Sequence, residues 1–192
     1  MKMNITQKKQ RKALDIGVKT TAKTLKKWAN KNVDFSTTTD TVSLSESTDI
    51  IDAPNDYIIL YTEIVSNNYP GLSLIIMNKK DALVLIDLLR RKKIGSTKKI
   101  DKIGKSALIE TTNLLSGSYL NALSRLCNVS LVSSIPELVS IKKVRRIINY
   151  IAKSRKGKGV IFVNELIVKP YKIKIDLFLL FGGKLLQTLV KK

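Results

Sequence analysis

The feature that most constrains the fold of this sequence is the alternation of apolar residues near its carboxyl-terminal end. In YKIKIDLFLLF, residues 171–181, every second residue from Tyr171 to Phe181 is apolar or aromatic. A repeat of two is the period of a β-strand with one face turned to a core. The preceding GVIFVNELIV, residues 159–168, is a second strand candidate, and KPY between them contains turn residues. The pattern therefore predicts a β-hairpin.

A second hairpin is predicted in the first half of the chain. The runs YIILYTEIV (57–65) and GLSLIIM (71–77) are strand candidates, and SNNYPG between them is a turn sequence. A short helix, KKDALVLIDLLRR (79–91), follows this hairpin. We expect a corresponding short helix, GGKLLQTLVKK, after the hairpin at the end of the chain.

Each predicted hairpin is preceded by a long helix and an extended segment. The long helices are predicted over 6–31 and 103–127, and the order helix, extended segment, hairpin, short helix occurs twice. An offset of 98 residues aligns the two copies, placing Leu25 on Leu123, Lys27 on Arg125 and Asn30 on Asn128. On the first helix, one face is predicted to carry Ala13, Ile16, Thr20, Leu25 and Trp28. Repeated element order indicates an internal duplication.

These elements predict an α+β fold with two pseudo-symmetric halves, each a long helix plus strands, around a shared and mostly antiparallel sheet. We expect one domain over 1–192, with pseudo-repeats at about 6–92 and 103–192 and a polar, basic boundary loop at 92–104. The second half is predicted to carry an extra helix at about 138–155.

Composition restricts the chemistry. The chain has 35 Lys and Arg residues against 15 Asp and Glu, a net charge of +20, which favours acidic partners. Histidine is absent and Cys127 is the single cysteine, which excludes His-dependent nucleophilic pairs and nearly every structural zinc arrangement. Cys127 lies in an apolar run and is expected to be a buried, inert thiol.

A cytoplasmic location without a membrane partner is the expectation. No run approaches the about 18 apolar residues that span a bilayer, and MKMNITQKKQRK lacks the apolar stretch of a signal peptide. A lone cysteine cannot form an internal disulfide, which fits a reducing compartment.

One stripe of the second long helix has unusual residues. Glu110 and Asn113 are three residues apart and share a helix face, with Ser106 and Gly117 one turn to either side. Glycine lowers helix stability by about 1 kcal/mol relative to alanine, and Asn is also a poor helix former. The stripe indicates a surface that a partner approaches closely. The alternative from the residues alone is a solvated polar pair and a glycine that allows helix packing.

The segment KSALIETTNLLSGSYLNALSRLCNVSLVSSIPEL, residues 105–138, resembles the phosphatase motif of the CheC, CheX and FliY family of chemotaxis proteins. That motif has Asp or Ser, three residues, Glu, two residues, Asn, twenty-two residues, then Pro. It is met here at Ser106, Glu110, Asn113 and Pro136. The order of elements is also similar over nearly the whole chain, so the resemblance implies a CheC-like fold.

The family motif normally occurs once per half, but the first copy is degenerate in this sequence. Subtracting 98 from the four motif positions gives Lys8, Lys12, Asp15 and Thr38. A lysine reverses the charge at the Glu position, and an aspartate has no amide donor. We therefore expect a single active site, in the second half.

The resemblance implies hydrolysis of the aspartyl phosphate of a CheY-type response regulator. Asn113 would orient the attacking water and Glu110 would pair with the regulator's lysine. Ser106 would assist at the helix start, Gly117 would allow close approach, and Pro136 would shape the loop after the helix. No intrinsic cofactor is implied, since Mg²⁺ would come with the phosphorylated regulator.

Two other classes of function stay open at this stage. The first is a non-catalytic CheC-type adaptor that binds CheD or phosphorylated CheY. The second is nucleic-acid binding, which the charge of +20 suggests. No specific nucleic-acid partner is expected, because aromatics make up only 6% of residues and no helix-turn-helix, zinc-finger or RNP-type motif is present.

Overall fold

The computed structural model describes residues 5–29, 33–36, 42–43, 56–66, 71–154, 159–169 and 171–182. In chain order the elements are α1 (Ile5–Ala29), β1 (Val33–Ser36), β2 (Val42–Ser43), β3 (Tyr57–Val65), β4 (Gly71–Asn78), α2 (Lys79–Leu89), α3 (Lys102–Cys127), β5 (Val132–Ser133), β6 (Glu137–Val139), α4 (Ile141–Ser154), β7 (Gly159–Val168) and β8 (Ile173–Gly182).

The eight strands of the described ranges belong to one antiparallel sheet with the order β1-β7-β8-β4-β3-β5, in which β2 also pairs with β7 and β6 with β3. The two predicted hairpins are present as β3–β4 and β7–β8. They meet through β4 and β8, where Leu74 lies opposite Phe178. The sheet order is symmetric about this central pair, which confirms the predicted α+β fold with two pseudo-symmetric halves.

The strands that follow the long helices cross between the halves. β1 follows α1 but pairs with β7 of the second hairpin, while β5 follows α3 and pairs with β3 of the first. Each half thereby covers the hairpin edge of the other. α1 ends at Ala29 and α3 ends 98 residues later at Cys127, as in the sequence alignment. The repeat boundaries themselves, at about 6–92 and 103–192, stay a prediction.

The sheet is covered on both faces. On one face, apolar residues of α1, α2 and α3 form a cluster with strand residues that include Leu60, Ile75 and Phe181. On the opposite face, Val144 and Ile148 of α4 pack against a second cluster from the central strands. β4 and β8 are therefore buried on both sides, which explains why LSLII and LFLLF are nearly continuous apolar runs.

The two long helices pack closely because one position on α1 lacks a side chain. A Cβ atom at Gly17 would lie 2.9 Å from Cε1 and Cζ of Tyr119, a fully buried ring of α3. Next to this contact, Thr21 Oγ1 donates to Gly17 O at 3.0 Å and lies 3.5 Å from Leu115 O. The two helices are thus held in register at the level of the predicted site.

Two predicted elements differ in detail from the structure. On α1, Ile16 and Trp28 are each 38% exposed, while Gly17, Val18, Thr21, Ala22 and Leu25 form the buried face. The extra helix begins at Ile141 rather than near 138, because residues 137–139 pair with β3 as strand β6. The predicted short helix after Gly182 lies outside the described residues. No helix within the described ranges is long and apolar enough to cross a membrane.

Candidate functional site

The site helix α3 has a defined start and end. Asp101 is its N-cap, and Oδ1 of this residue accepts a hydrogen bond from the Gly104 amide at 2.6 Å. At the other end Asn128 adopts a left-handed conformation, with φ 54°, and its amide donates to Ser124 O. These caps hold the helix across all 26 residues, including the weak helix formers of the stripe.

The rotation of α3 about its axis is set by its buried face. Leu108, Leu115, Tyr119 and Leu123 lie in the core cluster. Ser116 is also buried, and its hydroxyl is 2.9 Å from that of Ser73 on β4, which ties the middle of the helix to the sheet. Because these contacts point one side of α3 inward, the side that carries the stripe points outward.

The predicted site residues of α3 share that exposed side. Ser106, Glu110 and Asn113 are all exposed, and their side chains have no hydrogen-bond or ion-pair partner within the described part of the chain. Gly117 is half-buried, and a Cβ atom added to it would meet none of the described residues within 4 Å. Packing against the described part of the chain therefore does not require this glycine. The structure brings together four of the five predicted residues in one open strip of helix surface.

Pro136, the fifth residue, lies at an irregularity on the sheet edge. Ile64 pairs with Ser133 and Tyr61 with Glu137, so the three residues 134–136 lie opposite only two residues of β3. One extra residue on one strand is a β-bulge, and a proline is tolerated there because it has no amide to donate. Pro136 is buried, and it is followed immediately by β6, which packs with β5 and β3 against α3.

The degenerate first copy can be described at one position. Lys8 and Lys12 lie in α1, but their side chains, like Thr38, are outside the described residues. Asp15 is half-buried and already engaged in an interaction. Burial raises the pKa of Tyr119 above its ordinary value, and the nearby charge of Asp15 raises it further. Asp15 thus differs from Asn113 in both chemistry and accessibility.

Two features of the structure were not among the predicted site residues. The first is Ile135, which lies beside Pro136 and is 82% exposed. A large apolar residue next to the motif proline was the feature of the sequence that could have indicated it. The loop before α3 is held by the buried Asp87, whose carboxylate accepts from the amides of Gly95, Ser96 and Thr97. In the sequence, an isolated acidic residue within the apolar run of α2 could have indicated this buried and hydrogen-bonded carboxylate.

Metal ligation and thiol chemistry have little support in the described residues. Within those ranges, no group of three or more Asp, Glu or Cys side chains could hold a metal ion. Cys127 is buried at the end of α3, as expected. The exposed polar groups of the stripe itself are therefore one carboxylate, one carboxamide and one hydroxyl.

Solved structures with the same architecture come from chemotaxis proteins. Thermotoga maritima FliY matches 98% of this chain and 97% of its own length, at 17% identity and a TM-score of 0.70. A CheC-like superfamily protein from Shewanella sp. PV-4 matches 94% of this chain and 100% of its own, at 16% identity and a TM-score of 0.60. The chain has the CheC-like fold.

A third match is to the Borrelia burgdorferi complex of CheX with CheY, BeF₃ and Mg²⁺. It covers 88% of this chain and 97% of that chain, at 11% identity and a TM-score of 0.61. No protein-family model and no curated protein sequence matches this chain. At these identities the CheC-like fold is what the comparisons establish, and function has to be argued from the site.

Proposed function

We propose that this protein is a phosphatase that hydrolyses the aspartyl phosphate of a CheY-type response regulator, with Glu110 and Asn113 as its catalytic residues. The observation that carries the proposal is that these two side chains are exposed on one strip of a helix fixed at both ends, and have no partner among the described residues. Ser106, Gly117 and Pro136 complete the family spacing around them.

Asn113 acts on the attacking water. Its carboxamide can accept a hydrogen bond from a water molecule and donate another to a phosphoryl oxygen. An acyl phosphate is already reactive, so its hydrolysis needs chiefly a water placed in line with phosphorus and stabilisation of charge. No histidine, thiolate or covalent intermediate is required, which agrees with a chain that has no histidine and one buried cysteine.

Glu110 fixes the position of the regulator. Its carboxylate lies one turn before Asn113 and pairs with a lysine beside the regulator's phosphoaspartate, through a charge-assisted hydrogen bond. Since no described residue of this chain competes for that carboxylate, the pairing displaces only water. Gly117 leaves room for the regulator's backbone on the other side of Asn113.

Magnesium belongs to the regulator in this proposal. The described residues offer no cluster of carboxylates for it. The Borrelia burgdorferi relative was solved together with CheY, BeF₃ and Mg²⁺, which is the combination expected of a regulator carrying a phosphoryl mimic. The same comparison supports a CheY-type partner for this chain.

The test is release of inorganic phosphate from a phosphorylated regulator. Asn113→Ala should abolish stimulation by this protein, because the stripe around Glu110 has no second carboxamide to orient the water. Asn121→Ala is the matched control, since Asn121 is an exposed asparagine two turns further along the same helix. Asp15→Ala should leave the rate of the folded protein at the wild-type value.

The outcomes separate the phosphatase from an adaptor. Equal losses in the Asn113 and Asn121 variants would contradict the assignment of Asn113. If the wild-type protein binds a beryllium fluoride-activated regulator without accelerating hydrolysis, the chain is a non-catalytic adaptor. Binding assays with and without CheD then identify which partner it connects.

A further inference from the structure

The loop between α2 and α3, together with the first turn of α3, carries a dense positive charge that is largely unneutralised. Within residues 90–105, RRKKIGSTKKIDKIGK, there are eight basic side chains and one acidic side chain. The acidic one, Asp101, caps α3 and pairs with Arg90 at 3.4 Å. The other seven cations are exposed and form no ion pair within the described residues: Arg91, Lys92, Lys93, Lys98, Lys99, Lys102 and Lys105.

This loop is built to a defined shape. Oδ2 of Asp87 accepts from the Gly95 amide at 2.7 Å and from the Ser96 amide at 3.1 Å, while Oδ1 accepts from the Ser96 hydroxyl at 2.9 Å and the Thr97 amide at 3.1 Å. Gly95 has φ 83°, a conformation that favours glycine. The basic side chains therefore project from a backbone fixed by a buried carboxylate.

Helix stability does not account for the charges at the start of α3. The amino-terminal end of a helix has a positive partial charge, which favours acidic residues and disfavours Lys102 and Lys105. The first turn of α3 contains no acidic residue. Seven like charges within residues 91–105 also repel one another, so an oppositely charged partner is the feature that would make this arrangement favourable.

The loop continues directly into the proposed site. Lys102, Ser106, Glu110 and Asn113 follow one another on one side of α3. At about 1.5 Å per residue, Lys105 is about 12 Å and Lys102 about 17 Å from Asn113 along the helix axis. A protein interface of ordinary size buries about 800 Å² per partner and is about 30 Å across. A partner centred on Asn113 therefore reaches about 15 Å along α3, which covers Lys105 and ends close to Lys102, where the basic loop begins.

We propose that residues 91–105 are an electrostatic docking element for an acidic protein surface, the face of the regulator that surrounds its phosphorylation site. This inference rests on the proposed function. The acidic pocket of the regulator, which holds Mg²⁺ through carboxylates, supplies the complementary charge. The loop steers association and holds the complex, whereas Glu110 and Asn113 carry out positioning and chemistry. Substitutions in the basic loop should therefore change kcat/KM and the salt dependence of hydrolysis, and leave kcat unchanged.

Charge reversal in the loop tests the proposal against a matched pair elsewhere. Lys98→Glu/Lys99→Glu should lower kcat/KM about tenfold at low ionic strength, and the difference should shrink to about twofold at 0.5 M salt. Lys142→Glu/Arg146→Glu makes the same change in net charge on exposed residues of α4, on the other face of the sheet. That pair should change kcat/KM by less than about twofold at either salt concentration.

A third variant separates docking from stability. Lys102→Glu places a negative charge at the start of α3, so it should raise the melting temperature while it lowers kcat/KM. Equal effects of the loop pair and the α4 pair would show that only net charge matters, and would overturn the proposal. A loop pair with wild-type kcat/KM would also overturn it, while leaving the phosphatase assignment intact.

Direct binding distinguishes failure of the loop from failure of the proposed function. If the wild-type protein binds a beryllium fluoride-activated regulator but does not hydrolyse the phosphorylated form, the same variants are compared by Kd. The loop pair should then raise Kd about tenfold at low ionic strength, and the α4 pair by less than about twofold. No binding at all would overturn both assignments. A 20-base-pair DNA duplex that binds at physiological salt more tightly than the regulator, and loses affinity in the loop pair, would assign the loop to nucleic acid instead.

Discussion

Gly117→Ala offers a direct test of how α3 presents its site. A Cβ atom at position 117 would meet no described residue within 4 Å, so alanine adds no strain there. Alanine is favoured over glycine inside a helix by about 1 kcal/mol. The free energy of unfolding should therefore rise by about 1 kcal/mol, which is about 2–4 °C in melting temperature for a chain of this size.

The matched substitution at Gly17 should have the opposite sign. Alanine there gains the same helix propensity, but its Cβ would lie 2.9 Å from the buried Tyr119 ring. Overpacking of a core contact costs about 1–3 kcal/mol, which exceeds or offsets the gain. Gly17→Ala should therefore be no more stable than the wild type and up to about 2 kcal/mol less stable. Urea unfolding monitored by circular dichroism measures both variants.

A larger side chain at position 117 tests the function of the open space. Gly117→Gln should fold at least as well as the wild-type protein but lose most of its phosphatase activity, because the side chain occupies the path of the regulator. Asn121→Gln is the control for a glutamine on an exposed position of the same helix. If Gly117→Ala destabilises the protein, the space around position 117 is not open. If Gly117→Gln has normal activity, the regulator does not approach α3 closely at this position.

Three further predictions follow from the site and its supports. Glu110→Gln should raise KM for the phosphorylated regulator more than it lowers kcat, because the amide keeps the shape but loses the charge, and steady-state phosphate release measures both parameters. Burial raises the pKa of Asp87, but hydrogen bonds from Thr97, Ser96 and Gly95 outweigh it and hold this pKa below the usual range. The resulting stability is complete above the unfolded-state pKa of about 4 and is lost as pH falls through the lower folded-state pKa. Asp87→Asn should therefore lower the free energy of unfolding by about 1–3 kcal/mol at pH 7, and should make that free energy fall less steeply below about pH 4. Urea unfolding from pH 2.5 to 7 measures both effects. If the variant loses stability at low pH as steeply as the wild type, Asp87 does not have this role. Asn78→Ala removes the N-cap of α2, where Oδ1 accepts from the Asp81 amide at 2.8 Å, and should destabilise the protein by about 1 kcal/mol in the same assay.

Much of the local structure could be predicted because it depends on short-range patterns. The β3 strand at 57–65 and the β7 strand at 159–168 have the predicted bounds, and α3 begins one residue before its predicted start. The placement of Glu110 and Asn113 on one face follows from helix geometry alone, since residues three apart are neighbours wherever the helix lies. Glycine and asparagine in the same stripe were visible as poor helix formers.

The accessibility of Glu110 and Asn113 could not be predicted in the same way. A helix pattern indicates that one side is buried but does not identify which contacts set its rotation. On α1, the tertiary contact between Gly17 and Tyr119 turned Ile16 and Trp28 toward solvent, against the predicted face. On α3, the buried Ser116 and its bond to Ser73 accompany an outward-facing Asn113.

The sequence by itself determined the two long helices, the two hairpins and the spacing of the motif, because each is set within a turn of helix or a few residues of strand. Tertiary structure alone decided that β1 joins the second hairpin and β5 the first, since strand partners far apart in the chain have no local signature. It also decided that Pro136 lies at a bulge and that Asp87 organises the basic loop. Those features depend on hydrogen bonds between distant backbone groups and side chains, which no local periodicity records.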